Sequence, residues 1–266
     1  MNITIFCVDA FTNQPFRGNP AAVVILDKEA PEGWMQNVAA EMNLAETAFV
    51  VQQSPGQYGL RWFTPTMEVD LCGHATLASA FALWGEGLET AETITFHTRS
   101  GALVAKRAGD AIALDFPAVE VAPVSAPTGL MEALGLSAEP TAHLGGRYHL
   151  IELENEDAVR ALAPDFYRLK KVAVFGVIAT APGADAAVDF VSRFFAPAAG
   201  IDEDPVTGSA HCQLATYWAR RLGKRSFSAR QVSRRGGELH VRLTEDGRVI
   251  LQGMAALVWK GAITRP

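Results

Sequence analysis

Two short stretches hold the side chains best suited to chemistry: Cys72-Gly73-His74-Ala75-Thr76 and Asp204-Pro205-Val206-Thr207-Gly208-Ser209-Ala210. Each is a small-residue turn that leads into an Ala-rich apolar run. At the start of a helix the first backbone N–H groups lack internal partners, and the helix dipole places about +0.5 of a charge there. Gly73 and Gly208 would let a ligand approach that backbone closely. Two such ends suit an anionic group, either a carboxylate or a developing enolate. The plainer alternative is that both are ordinary helix starts, but their occurrence as a matched pair beside acidic loops favours the site. His74 can donate or accept a proton near neutral pH. Asp204 lies where it caps the second turn or meets a ligand. Glu46 stands near the start of an apolar segment, as an exposed edge residue or as a general base held in a cleft.

The two stretches belong to longer repeats, RWFTPTMEVDLCGHATLASAFALW from Arg61 and RFFAPAAGIDEDPVTGSAHCQLATYW from Arg193. Arg61, Phe63, Pro65 and Asp70 match Arg193, Phe195, Pro197 and Asp202 at a spacing of 132 residues. Gly73 and His74 match Gly208 and Ser209 at a spacing of 135, which places three extra residues in the second loop. Each copy reads as strand, loop and enclosed helix. A duplicated supersecondary unit in 266 residues predicts two similar domains.

The surrounding pattern supplies the elements that must hold these groups. Alternation at Ile3, Ile5 and Cys7 predicts a strand, and Gly18-Asn19-Pro20 turns the chain into another at 21–26. Pro31 opens a helix with Met35, Val38 and Met42 on one face, ending at Asn43, and residues 45–51 read as a strand. Residues 58–63 form the strand that enters the first repeat. Its helix, 75–84, is apolar all round and stops at Gly85 and Gly87. Strands follow at 94–96, 101–105 and 111–116. Pro117, Pro123 and Pro127 mark the domain crossing. The second half reads as helix 130–134, strand 148–153, helix 158–162, strands 172–179 and 188–195, helix 210–222 and a hairpin at 238–243 and 249–251. The fold class is α+β, with mostly antiparallel sheets wrapped around central helices.

Composition excludes other classes. With 49% hydrophobic and 20% charged residues the chain is globular, and a net charge of −6 without a Lys/Arg stripe argues against nucleic acid and anionic membranes. No apolar run reaches the ~18 residues of a membrane span. Three cysteines, Cys7, Cys72 and Cys212, suit free thiols in a reducing, cytoplasmic setting. His74, His143, His149 and His211 show no zinc-ligand spacing, so no metal is expected. No nucleotide-binding glycine fingerprint appears. Cys72 sits where a thiol becomes nucleophilic, but the second turn carries no matching cysteine, and Cys212 falls a full turn into the helix.

Several ordered motifs together resemble the phenazine-biosynthesis isomerase (PhzF-like) family, of diaminopimelate-epimerase fold. They are Asp9-Ala10-Phe11, Gly18-Asn19-Pro20, Asn43-Leu44-Ala45-Glu46-Thr47, the two turns above, and Arg234-Arg235-Gly236-Gly237-Glu238-Leu239. The last resembles the branch that includes animal phenazine-biosynthesis-like-domain proteins. The resemblance covers essentially the whole chain. It implies two domains, 1–117 with the return of 254–266 and 118–253, each a sheet rolled into a barrel around a helix, with the active site between them. It also implies a homodimer and chemistry without cofactor or metal. Glu46 takes the role of proton carrier, His74 and Asp204 assist, and Asn19, Gly73, Gly208 and Ser209 bind substrate. Cys72 departs from the small residue of the phenazine enzyme, which leaves the substrate open. The leading expectation is therefore a cofactor-independent isomerase acting on a small carboxylate. The alternatives are a non-catalytic small-acid binder of the same fold and a two-thiol amino-acid epimerase.

Overall fold

The computed structural model describes residues 2–137 and 140–264. Met1 and residues 265–266, the ends of the first expected domain, lie outside the described residues. The chain divides into two compact units, residues 1–116 with 251–266 and residues 117–250.

The first unit holds β1 (Asn2–Ala10), β2 (Asn19–Leu26), α1 (Glu32–Met42), β3 (Glu46–Ser54), β4 (Gln57–Phe63), β5 (Glu68–Val69), α2 (Gly73–Gly85), β6 (Thr93–Thr98), β7 (Gly101–Ala108) and β8 (Ala111–Pro117). β1 and β2 are antiparallel, and β2 and β3 run parallel through the α1 crossover, with Ala21 opposite Glu46. β3 and β4 are antiparallel, β4 and β6 are parallel through α2, and β6, β7 and β8 form a meander. Both faces of β2 are buried, which explains its unbroken run Pro-Ala-Ala-Val-Val-Ile-Leu. On one face Ile5, Val24 and Phe49 pack with Met35 and Ala39 of α1. α2 packs against β1, β2, β3 and β7, and its residues His74 to Ala80 are all buried. α2 is thus the apolar helix that the sequence requires to be enclosed. Asn43 ends α1 in the left-handed conformation, φ 49°, with its N–H on the Ala39 carbonyl.

The second unit holds β9 (Ala122–Val124), α3 (Leu130–Leu134), β10 (Ala142–Gly145), β11 (Tyr148–Glu152), α4 (Glu156–Ala161), α5 (Phe166–Leu169), β12 (Gly176–Pro182), β13 (Phe190–Ala196), β14 (Ile201–Asp204), α6 (Gly208–Leu222), β15 (Ser226–Gln231), β16 (Gly237–Leu243) and the start of β17 (Arg248–Gly253), whose residues from Leu251 belong to the first unit. The last strand, β18 (Ala255–Thr264), returns to the first unit and pairs with β1. The pairing scheme repeats. β10 and β11 are antiparallel like β1 and β2, β11 and β12 parallel like β2 and β3, and β12 and β13 antiparallel like β3 and β4. β13 and β15 are parallel across α6, like β4 and β6 across α2. β9 pairs with β10 as β18 pairs with β1. The expected α+β architecture of epimerase type is the one found.

The repeats also share a clamp. Arg61 places Nε and Nη2 each 2.7 Å from the two carboxylate oxygens of Glu68, and its guanidinium lies 5.2 Å from the Phe63 ring. Arg193 does the same with Glu203, at 2.7 and 3.0 Å, and lies 4.9 Å from Phe195. Such planar two-point pairing is specific to arginine. It fastens β5 to β4 and β14 to β13 immediately before each helix start. Glu68 and Glu203 are 135 residues apart, so the three extra residues enter before Glu203. The sequence pairing of Asp70 with Asp202 is therefore replaced by Val69 with Asp204, because Val69 lies opposite Trp62 and Asp204 opposite Phe194.

Candidate active site

Asn19, Glu46, Cys72 and His74 come together in the first unit. Gly18 makes the placement of Asn19 possible. Its φ is +64°, and a Cβ there would fall 2.1 Å from the Ala10 carbonyl oxygen, so only glycine fits. Asn19 opens β2 opposite Ala10, and Glu46 opens β3 beside Ala21. His74, the second residue of α2, projects between them: its Nε2 lies 3.3 Å from Glu46 Oε2 and its Nδ1 lies 3.2 Å from Asn19 Nδ2. Cys72 Sγ stands 3.5 Å from Nδ1 and 3.9 Å from Nε2. The Glu46 side chain keeps 13% of its surface exposed against 7% for His74, so the carboxylate is the member of the pair that meets solvent.

Burial pulls the His74 pKa down to about 3, with the Pro20 carbonyl acting weakly in the opposite sense. The imidazole is neutral at ordinary pH, and its contact with Glu46 is a hydrogen bond and not an ion pair. Asn19 Nδ2 can only donate, so Nδ1 accepts from it and Nε2–H donates to the Glu46 carboxylate. The Pro20 carbonyl is a further hydrogen-bond partner of the ring, and in the other tautomer, with the Asn19 amide turned to present its oxygen to Nδ1–H, Nε2 faces Glu46 with a lone pair. The ring can therefore face Glu46 as donor or as acceptor without becoming charged.

Asp204, Gly208 and Ser209 lie in the second unit. Asp204, buried at the end of β14, accepts from the Thr207 hydroxyl at 2.5 Å, and Gln231 of β15 laces the turn. Its Nε2 donates to the Asp204 carbonyl at 2.6 Å and its Oε1 accepts the Thr207 N–H at 2.9 Å. Ser209 Oγ, at the second position of α6, is 3.1 Å from the Tyr148 hydroxyl. Neither α2 nor α6 carries a side-chain N-cap. His211 is buried, donates Nδ1–H to the Thr207 carbonyl at 2.8 Å, and is pushed down to about 4 by burial. Cys212 is buried one turn into α6, and burial pushes its thiol up to about 12.

The two units are unequal where it matters. Through the strand registers Ala21 corresponds to Tyr148 and Glu46 to Gly176. A Cβ at Gly176 would meet the Phe194 ring at 2.7 Å and the Tyr148 ring at 3.1 Å, so an aromatic wall fills the place of the carboxylate. Cys72 corresponds to Thr207, and His74 to Ser209. Sequence reasoning missed Tyr148, Thr207 and Gln231, and it did not join Cys72 to the Glu46–His74 pair. Only the strand registers expose the first, and only the fold brings Gln231 to the turn.

The phenazine biosynthesis-like protein family matches residues 8–261. The chain belongs to this family. An uncharacterized isomerase of Pseudomonas aeruginosa is 50% identical over 264 residues, and one of Halalkalibacterium halodurans is 46% identical over 266, each alignment covering 99% of both chains. A crystal structure of a PhzF-family phenazine biosynthesis protein from Enterococcus faecalis superimposes with a TM-score of 0.94 at 45% identity, covering 99% of this chain and 100% of that one. Within the PhzF family this chain is an isomerase by type. No helix among the described residues is long and apolar enough to cross a membrane.

Proposed function

We propose that the chain is a proton-shifting isomerase of small carboxylate-bearing substrates in which Glu46 is the proton carrier. The observation that carries this reading is the 3.3 Å contact of Glu46 with a neutral, buried His74. Glu46 removes a proton from a carbon next to an unsaturated or carbonyl system and returns it to another carbon. His74 positions the carboxylate, and by changing tautomer it faces the protonated acid as an acceptor. The reaction is redox-neutral, so acid–base groups suffice. The substrate's carboxylate is held by the helix start at Gly73 with Asn19. In this reading Gly208 and Ser209 are the second unit's substrate-binding residues, and Asp204 assists proton movement from its Thr207–Gln231 setting.

The asymmetry between the units supports one base over two. The counterpart of Glu46 is Gly176 and that of Cys72 is Thr207, so the second unit repeats neither the carboxylate nor the thiol. A two-thiol epimerase would need both. General acid–base catalysis contributes about 10²–10⁴-fold, so Glu46→Gln should lower turnover by that factor with an unchanged circular dichroism spectrum. A panel of unsaturated and 2-amino acids in deuterium oxide, followed by proton NMR, identifies the substrate class. Unchanged deuterium incorporation in Glu46→Gln would remove the assignment.

A further inference from the structure

The spacing of histidines and cysteines along the chain gives no zinc signature, but the fold assembles one from a strand and a helix start. Donor atoms of Glu46, Cys72 and His74 all lie within 4.8 Å of one another, the one such cluster among the described residues. A thiolate, an imidazole and a carboxylate are the three ligand types that zinc takes, at bond lengths of about 2.0–2.3 Å. A tetrahedron of that size has edges of about 3.3–3.7 Å. His74 Nε2 is 3.3 Å from Glu46 Oε2, so one edge already has the required length, and Cys72 Sγ, 3.9 Å from Nε2 and 3.5 Å from Nδ1, reaches its place by turning toward Nε2. The third closes by rotation of the Glu46 side chain, the most exposed of the three.

We propose that this triad binds a zinc-type divalent ion through Cys72 Sγ, His74 Nε2 and Glu46 Oε2, leaving the fourth position open, and that the bound ion switches the isomerase off. The imidazole ligates as the Nδ1–H tautomer, for which the Asn19 amide turns its oxygen to Nδ1 and supplies the outer-shell support a metal-bound histidine requires. The His74 proton moves between ring nitrogens and is retained. Cys72 loses its thiol proton to solvent, so binding releases about one proton per ion. The ion occupies the carboxylate that would otherwise accept the substrate's proton. Inhibition rests on the proposed role of Glu46, whereas the site itself does not. Cys7 and Cys212 are excluded as partners, since neither joins the cluster.

The test is a cobalt titration of the metal-stripped chain, read by the thiolate-to-cobalt charge-transfer band in the near ultraviolet and the visible bands of tetrahedral cobalt. Both should appear at one equivalent and vanish on addition of zinc. Cys72→Ser should abolish the thiolate band, and Glu46→Gln should weaken zinc binding by about 100-fold or more, beyond the effect of an outer-shell change. Absence of the band, or its persistence in Cys72→Ser with an unchanged midpoint, would overturn the site. With a substrate in hand, zinc should inhibit the wild type with a midpoint equal to its binding midpoint, and a chelator should restore turnover. A cobalt band without any inhibition would refute the switch. Full turnover of chelator-treated Glu46→Gln would instead refute the role of Glu46 and leave the site standing.

Discussion

Glu46 Oε2 lies 3.3 Å from Nε2 of a histidine whose burial keeps it neutral, so the carboxylate of this isomerase is held by a hydrogen bond and not by a charge. An ion pair would bind the basic form of Glu46 tightly and blunt it. A neutral donor orients the group and leaves it able to take a proton. Nitrogen-15 NMR of the resting protein should show His74 as the Nε2–H tautomer from pH 5 to pH 8, with no titration in that interval. A midpoint near 6.5 would mean an imidazolium beside Glu46.

The same depression links folding to pH. His74 and His211 fall from 6.5 to about 3 and about 4, so the unfolded chain binds more protons between those values. Stability therefore rises with pH up to about 6.5 and is lost on acidification below it. Each histidine contributes a slope of up to about 1.4 kcal/mol per pH unit within its window. Replacing His211 with Gln, which can keep a hydrogen bond to the Thr207 carbonyl, should remove one share of that slope. Urea unfolding at pH 5, 6 and 7 measures it, and an unchanged slope would refute the linkage.

Gly18 is a steric requirement of the site. Gly18→Ala places a methyl group 2.1 Å from the Ala10 carbonyl oxygen at φ +64°, so the turn into Asn19 must move. The expected cost is about 2 kcal/mol or more, together with loss of the Asn19–His74 contact. Chemical denaturation reads the first effect. A shifted His74 resonance reads the second even if the variant stays folded.

Much of this was legible in the sequence because the informative residues are sterically or chemically unusual. Gly18-Asn19-Pro20, an apolar-all-round helix and a carboxylate opening an apolar strand each violate the ordinary pattern of their element, and each marks a real feature. What stayed hidden depends on register. Glu46 and Gly176 correspond only through strand pairing, and no shared residue type announces it. β9, β10 and β14 are only three or four residues long, and β15 alternates but with Phe227 and Ala229 as its only apolar residues. The apolar run 172–179 predicts a strand throughout, yet β12 starts at Gly176, because Val172 and Val174 take part in the turns that follow α5. The spacing of 132 pairs Asp70 with Asp202, three residues short of Asp70's place in the strand register, because the two loops carry several interchangeable acids.

The clamps offer a test of duplicated design. Arg193 joins Glu203 in a two-point pair and also donates to the Leu162 carbonyl at 2.7 Å, closing the end of α4. Its side chain is 12% exposed, so loss of one partner leaves a largely buried charge. Glu203→Gln should cost about 2 kcal/mol or more, and Arg193→Lys nearly as much, since an ammonium cannot reproduce the planar fork. Equilibrium denaturation should show the lysine variant closer to Glu203→Gln than to wild type.

A single base makes a prediction that two opposed bases do not. If Glu46 both removes and returns the proton, the hydrogen travels on one carboxyl group and reaches the same face of the substrate. With a substrate deuterated at the donor carbon, early product formed in ordinary water should retain part of its label at the acceptor carbon. The fraction retained is set by how fast the protonated Glu46, only 13% exposed, exchanges with solvent before return. In a two-base enzyme the returning proton comes from a second group already equilibrated with water, and the label is lost at the first turnover. Mass spectrometry of product at low conversion separates the cases. Retained label excludes a second donor, whereas complete loss means either exchange faster than return or a second proton donor, and loss of turnover in Asp204→Asn would assign that role to the buried acid of the second unit.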